Sequence, residues 1–224
     1  MRCYKVKSSW KARTKSRIWK FRLHSKEFMK RCLDVSIASL AVLILSPLCL
    51  IVCIAIKLES KGPIFFKQQR VGVEGRCFTM YKFRSMVVNA EARRHELERA
   101  NEVRNGVLFK IKRDPRITRI GALIRKTSID ELPQLINVIK GDMSLVGPRP
   151  PLVSEVKQYT RADQVRLMVL PGITCIWQVC GRSDIPFEQQ VELDLQYIES
   201  QSVWVDLGLL AKTIPAVITA RGAY

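Results

Sequence analysis

A chain of 224 residues that is 47% hydrophobic and 26% charged is too apolar for a disordered protein and too charged for a polytopic membrane protein. Its 38 Lys and Arg against 20 Asp and Glu leave a formal net charge of +18, so its partners are expected to be anionic: lipid head groups, phosphorylated ligands or nucleic acid. Seven cysteines with no Cys-x-x-Cys, and only two histidines, argue against a zinc site or a disulfide framework and fit reduced thiols facing a cytoplasm.

The positive charge is concentrated at the start. Residues 1–32 carry twelve Lys or Arg and one acid, Glu27, a net of +11, while the remaining 192 residues hold 26 basic and 19 acidic side chains, a net of +7. Trp10, Ile18, Trp19, Phe21, Phe28 and Met29 are interleaved with those charges, a pattern suited to the headgroup layer of an anionic membrane. The same residue types could grip nucleic acid. Adjacency to the next segment favours lipid, so residues 1–32 are read as a basic interfacial arm.

Val35 to Ile56 is a run of 22 residues without a charge, long enough at ~1.5 Å per residue to cross a hydrocarbon core of ~30 Å. Both flanks are basic: Lys26, Lys30 and Arg31 before it, Lys57, Lys61, Lys67 and Arg70 after it. A single span leaves one flank depleted of positive charge. Ser46-Pro47 lies mid-segment, where a proline lacks a backbone donor. The expectation is a re-entrant helix-break-helix over residues 33–57 that turns back at Ser46-Pro47, followed by a cytoplasmic domain over 58–224.

Two short strands, about 63–71 and 76–83, are predicted to form a hairpin across Gly72 and Gly75, with Lys67, Arg70, Lys82 and Arg84 on a basic face. Lys82 and Arg84 are the candidate phosphate contacts in it. Residues 87–104, with His95, read as a charged surface helix. An Asp114-Pro115 turn leads into a basic amphipathic stretch ending near Arg125. The last 22 residues are apolar but interrupted by Asp206, Lys212 and Pro215, which suits an interface or the core better than a span. The fold class expected is α+β, mainly helical, with a small β-hairpin and interfacial amphipathic helices around the membrane segment.

The chemistry is concentrated in TSIDELPQLINVIKGDMSLVGPRP, residues 127–150. Ser128-x-x-Glu131 matches a capping box, but a helix starting there would place Pro133 where a donor is needed. A start at Asp130 avoids this, gives a Leu132, Leu135, Ile136, Ile139 stripe, and ends at Gly141. It also sets Asp130 at the positive end of a helix dipole, so Asp130 is expected to stay ionised. Neighbouring helical positions point about 100° apart, so Asp130 and Glu131 would face different partners. Arg149 is held between Pro148 and Pro150, and Arg125 lies five residues before Asp130. An ionised aspartate flanked by guanidinium groups suits phosphoryl transfer, in which positioning and charge neutralisation do most of the work.

The blocks KRCLDVSIASLAVLILSPL, KQQRVGVEGRCFTMYKFRSM, RKTSIDELPQLINVIKGDMSLVGPRP and LPGITCIWQVCGRS, in this order, resemble the bacterial sugar transferases known as monotopic phosphoglycosyl transferases, from about Lys30 to Tyr224. The resemblance implies an inner-membrane enzyme that moves a sugar 1-phosphate from a UDP-sugar to polyprenyl (undecaprenyl) phosphate, releasing UMP and initiating surface polysaccharide synthesis. It makes Asp130 the nucleophile of a covalent intermediate and associates Glu131, with Asp130, with a required Mg²⁺. Arg125 and Arg149 fall in its anion site, and Ser46-Pro47 at its membrane turn. The C-terminal stretch is similar to members that handle glucose or galactose phosphates. Cys175 and Cys180 depart from the family pattern, which has a glycine and a small polar residue there. Membrane lipids are expected partners, nucleic acid is not, and homodimer formation is left open. The competing reading is a membrane-tethered basic binding or scaffold protein without catalysis.

Overall fold

The computed structural model describes residues 10–90, 114–181 and 185–219. The surface helix expected over 87–104, with His95, lies largely outside them. The architecture is mainly helical with small sheets, as the composition and patterning imply. One long helix, α1 (Trp10–Glu59), is followed by the hairpin β1 (Phe65–Val71) and β2 (Cys77–Phe83). After them come α2 (Arg119–Lys126), α3 (Gln134–Lys140), β3 (Ser144–Val146), α4 (Val153–Val156), β4 (Gly172–Thr174), α5 (Ile176–Cys180), α6 (Phe187–Ser200) and α7 (Val203–Thr219).

The expected break at Pro47 is absent: α1 runs through it as a single helix. A proline at 47 removes the N–H that would serve the carbonyl of Leu43. Ser46 Oγ donates to that carbonyl instead, at 2.9 Å. The Ser-Pro pair therefore repairs the hydrogen-bond ladder at the place where the sequence suggests a break. Among the described residues, Glu27–Glu59 is the one stretch of helix long and apolar enough to cross a membrane.

Both ends of this stretch are fastened to the same globular body. At the first, Arg31 donates to the carbonyls of Val138 (2.5 Å) and Ile139 (2.9 Å), closing the C-terminus of α3. Beside it Asp34, buried, accepts from Ser144 Oγ (2.7 Å) and the Leu145 amide (3.2 Å). Lys30 pairs with Asp206 of α7 at 2.6 Å, and Tyr197 donates to the other oxygen of that carboxylate at 2.7 Å. At the second end, Arg84 donates to the carbonyls of Ser60 (2.8 Å) and Lys61 (3.0 Å) and to Ser60 Oγ (2.9 Å). Helix C-termini leave up to four carbonyls without intrahelical donors, and a guanidinium satisfies several at once. Between these ends the helix surface is bare and apolar: Leu43 is 75% exposed and Ile51 64%.

The hairpin forms as predicted, with Phe65 opposite Phe83 and Val71 opposite Cys77. Glu74 (φ 55°) and Gly75 (φ 78°) make its turn. Neither edge of this two-stranded sheet is left open. The β1 edge bridges to Leu152, and the Val71 amide donates to the Pro151 carbonyl at 3.0 Å. On the β2 edge the fully buried Asn137 substitutes for a strand, accepting from the Tyr81 amide (3.1 Å) and donating to the Thr79 carbonyl (2.7 Å).

Two apolar clusters fill the interior. Ala38, Met80, Val138, Met143 and Tyr197 belong to one; Val52, Ile56, Phe83 and Ile124 form the other; Leu132 packs against both. The stripe expected on α3 is rotated. Leu135 is buried together with Gln134, Asn137 and Val138, whereas Ile136 and Ile139 are exposed. The cause is the start of the helix: Pro133 is its N-cap and Gln134 its first residue, with Gly141 (φ 95°) closing it. The short β3–β4 pair, which periodicity does not reveal, is parallel. It requires glycine on both strands' flanks: a Cβ on Gly172 would lie 2.1 Å from the Gly147 nitrogen.

Candidate active site

The acidic pair lies on a 3-10 turn, Ile129–Glu131, between α2 and α3. Asp130 does not open α3, so the expected protection by a helix dipole is replaced by another environment. The turn is entered through Ser128 in the left-handed region (φ 56°, ψ 16°), a conformation that is uncommon for serine and that recurs at functional sites. At three residues per turn, adjacent side chains diverge by about 120°. Asp130 accordingly points into the body, 8% exposed, while Glu131 reaches Lys82 Nζ at 2.6 Å.

These environments push the two carboxyls apart. Burial raises Asp130 to about 6, against the opposing pull of the Lys82 and Arg125 charges. Glu131 also meets a burial penalty, but the charge and hydrogen bond of Lys82, with Arg149 and Arg70, hold it below its ordinary value. One acid is thus poised near neutrality and its neighbour is a fixed anion, the kind of division that acid-base and nucleophilic sites use.

Arg125 is on the last turn of α2, half-buried, and no described group takes a hydrogen bond from its guanidinium. Arg149 is half-buried in the Pro-Arg-Pro turn and is likewise without a hydrogen-bond or ion-pair partner among the described residues. That turn is fixed on both sides. The Pro148 carbonyl accepts from the Gly172 amide at 2.9 Å, and the Pro150 carbonyl accepts from Arg70 Nη1 at 2.9 Å. Two guanidinium groups are therefore held near the acids with their donors uncommitted.

Of the residues singled out from sequence, Asp130, Glu131, Lys82, Arg125 and Arg149 come together. Arg84 does not join them: its guanidinium is buried against the end of α1, so it caps a helix and is not available as a phosphate contact. Ser46 and Pro47 lie far along the exposed part of α1. Sequence reasoning passes over Asn137, which fixes β2 and hence Lys82 against α3, and underweights Arg70. The sequence has no periodic signal for either, since both act through partners more than fifty residues away.

The donor set suits magnesium better than a softer ion. Mg²⁺ binds through one or two carboxylates and completes its shell with water and substrate phosphates. Two adjacent carboxylates match that habit, and among the described residues no group of three His, Cys, Asp or Glu could form an all-protein metal cage.

A family model described as bacterial sugar transferase matches residues 25–220. The chain is 46% identical to the galactosyl transferase CpsE of Streptococcus agalactiae, covering 91% of this chain and 45% of that protein. It is 42% identical to the undecaprenyl-phosphate galactose phosphotransferase of Salmonella typhimurium, covering 89% of this chain and 42% of that one. These relatives are thus about twice as long. The exopolysaccharide production protein ExoY of Rhizobium meliloti, 41% identical, is instead matched over 87% of this chain and 88% of its own length.

Proposed function

Because this chain belongs to the bacterial sugar transferase family, we propose that it transfers a hexose 1-phosphate, glucose or galactose, from a UDP-sugar to undecaprenyl phosphate and so initiates a surface polysaccharide. The observation that carries this reading is a buried carboxyl held near neutrality amid cations, two of them arginines with free donors. A scaffold protein has no need of that arrangement.

Asp130 attacks the sugar-bearing β-phosphorus of the UDP-sugar. A bond forms between its carboxylate oxygen and phosphorus, and the bond to the bridging oxygen breaks, releasing UMP with that electron pair. Arg125 and Arg149 donate to the phosphate oxygens as charge builds on them. A phosphate oxygen of the lipid then attacks the phosphosugar on Asp130, which restores the carboxylate and yields the lipid diphosphate sugar. Asp130 and Glu131 would hold Mg²⁺, which when bound neutralises diphosphate charge. Lys82, paired with Glu131, offsets one of the two carboxylate charges.

The anchor supports an enzyme seated on one face of the bilayer. Arg31 and Arg84 fasten opposite ends of the apolar stretch to the same catalytic body. A straight crossing would carry one end to the far side and break one set of bonds. The bare centre of α1, together with exposed Ile136, Ile139 and Trp204, then enters the cytoplasmic leaflet without emerging. A soluble donor and a lipid acceptor whose phosphate lies at the interface meet at such a site.

The test is UMP release by the full chain in nanodiscs with Mg²⁺, polyprenyl phosphate and a panel of UDP-sugars. Release that needs the metal and prefers one hexose supports the reading. No release from any sugar by folded, membrane-inserted protein would favour the scaffold alternative.

A further inference from the structure

Arg70 is a buried guanidinium, 5% exposed, at the end of β1. Three of its five N–H groups are committed: Nε and Nη2 donate to Gln68 Oε1 at 3.1 and 2.7 Å, and Nη1 donates to the Pro150 carbonyl at 2.9 Å. No described carboxylate forms an ion pair with it. Burial and the nearby charge of Arg149 pull it down to about 9, so it remains a cation at neutral pH. Buried charges are ordinarily paired, and two like charges held close in a partly dry site repel unless an anion joins them. Glu155 and Glu131 both act on Arg70 without an ion-pair contact: Glu155 accepts from the Leu152 amide at 2.7 Å, and the short contact of Glu131 is with Lys82.

Arg70 could be read as a brace alone, since it grips Pro150 next to Arg149. A brace would not need its charge. A side-chain amide can hold a carbonyl, whereas a buried guanidinium beside a second guanidinium is costly without a ligand. We propose that Arg70 and Arg149 together form a receptor for a phosphomonoester dianion, with Arg70 contributing its uncommitted donors to the phosphate. The proposal rests on the phosphotransfer reading above. Two species in that reaction carry such a group: the departing UMP and the lipid phosphate acceptor. A sugar-bearing diphosphate linkage spreads one charge per phosphate, so a paired-arginine site distinguishes the monoester from the donor's own phosphates.

The experiment measures equilibrium binding to the full chain in nanodiscs of UMP and of farnesyl phosphate, each against its monomethyl ester, which carries one charge fewer. The wild type is expected to bind one dianion at least about tenfold more tightly than its ester, the scale of a charge-assisted hydrogen bond. Arg70→Gln is expected to erase most of that ratio while changing ester binding little. Gln68→Glu is the second variant: it keeps both hydrogen bonds to Arg70 but neutralises its charge, and it too should erase the ratio with the fold intact. A preference for UMP assigns the site to the departing nucleotide, and a preference for farnesyl phosphate assigns it to the acceptor. Equal loss of both ligand forms in Arg70→Gln, with no effect of Gln68→Glu, would reduce Arg70 to a brace and overturn the proposal, as would a wild type with no dianion preference. Binding is read without turnover. An inactive protein that still discriminates would sink the catalytic reading alone, and an active one that does not discriminate would sink this inference alone.

Discussion

Arginines at two places in this molecule do opposite work. At the anchor, Arg31 and Arg84 point their guanidinium groups at the carbonyl ends of α3 and α1, and their donors are consumed there. At the acidic turn, Arg125 and Arg149 are half-buried and engage no described hydrogen-bond acceptor. The residue type is the same, and what separates structure from chemistry is whether the donors are used. A helix C-terminus presents a permanent partial negative charge, so an arginine there is satisfied by the fold itself. In the proposed reaction, an arginine beside Asp130 would be satisfied by the anion that the substrate brings.

Substitutions should separate the two classes cleanly. Replacing Arg149 with glutamine should lower kcat/KM for the UDP-sugar by about 10²–10³-fold, the usual loss when a preorganised donor to transition-state charge is removed, with a melting temperature near that of the wild type. Arg125→Gln should behave alike, and steady-state kinetics beside a thermal melt checks both. Arg84→Met should do the reverse. It leaves the Ser60 and Lys61 carbonyls just past α1 without their donor, a loss of about 1–3 kcal/mol in stability, while activity per folded molecule stays within a few-fold. A large kinetic defect in folded Arg84→Met would merge the two classes and break the comparison.

Asp130 and its pH dependence sharpen the contrast further. Because burial lifts its folded value to about 6 from an unfolded value of 3.8, the folded state binds the extra proton between those limits. The sign follows: this group favours the fold in acid, and that contribution fades as pH rises through 6. Asp130→Asn should therefore melt no lower than the wild type at neutral pH and should flatten the pH dependence of stability between about 4 and 6. Activity moves the opposite way: single-turnover UMP release falls in acid as the nucleophile protonates, at a pH that Mg²⁺ on the carboxylate lowers. A release rate that rises in acid would contradict the nucleophile account. The smallest effect belongs to Ser46→Ala, which frees the Leu43 carbonyl in α1. A loss of about 0.5–1.5 kcal/mol is expected, read as a lower melting temperature in detergent.

Much of the site is legible in the sequence because its signals are local. The hairpin follows from two short runs joined across Gly72 and Gly75, and the α3 stop from Gly141. Arg149 stands out because prolines flank it. What stays hidden depends on partners remote in sequence. Arg84 reads as one more cation on a strand until the end of α1 arrives beside it, and Asn137 reads as a polar interruption in an apolar helix until β2 lies along it. The start of α3 falls four residues later than its sequence pattern suggests because the 3-10 turn, which leaves no distinct residue pattern, fills the interval. The break expected at Pro47 fails for a reason visible only in three dimensions, the hydroxyl of Ser46 reaching back to Leu43.

The central claim is that Asp130 carries the phosphosugar. Intact-protein and peptide mass spectrometry after mixing the full chain in nanodiscs with the preferred UDP-hexose, Mg²⁺ and no lipid acceptor tests it directly. The account predicts one hexose-phosphate adduct on the peptide containing Asp130, stoichiometric with UMP released, discharged on adding polyprenyl phosphate and absent in Asp130→Asn. UMP release that persists in Asp130→Asn, or an adduct mapped to any other residue, would contradict it.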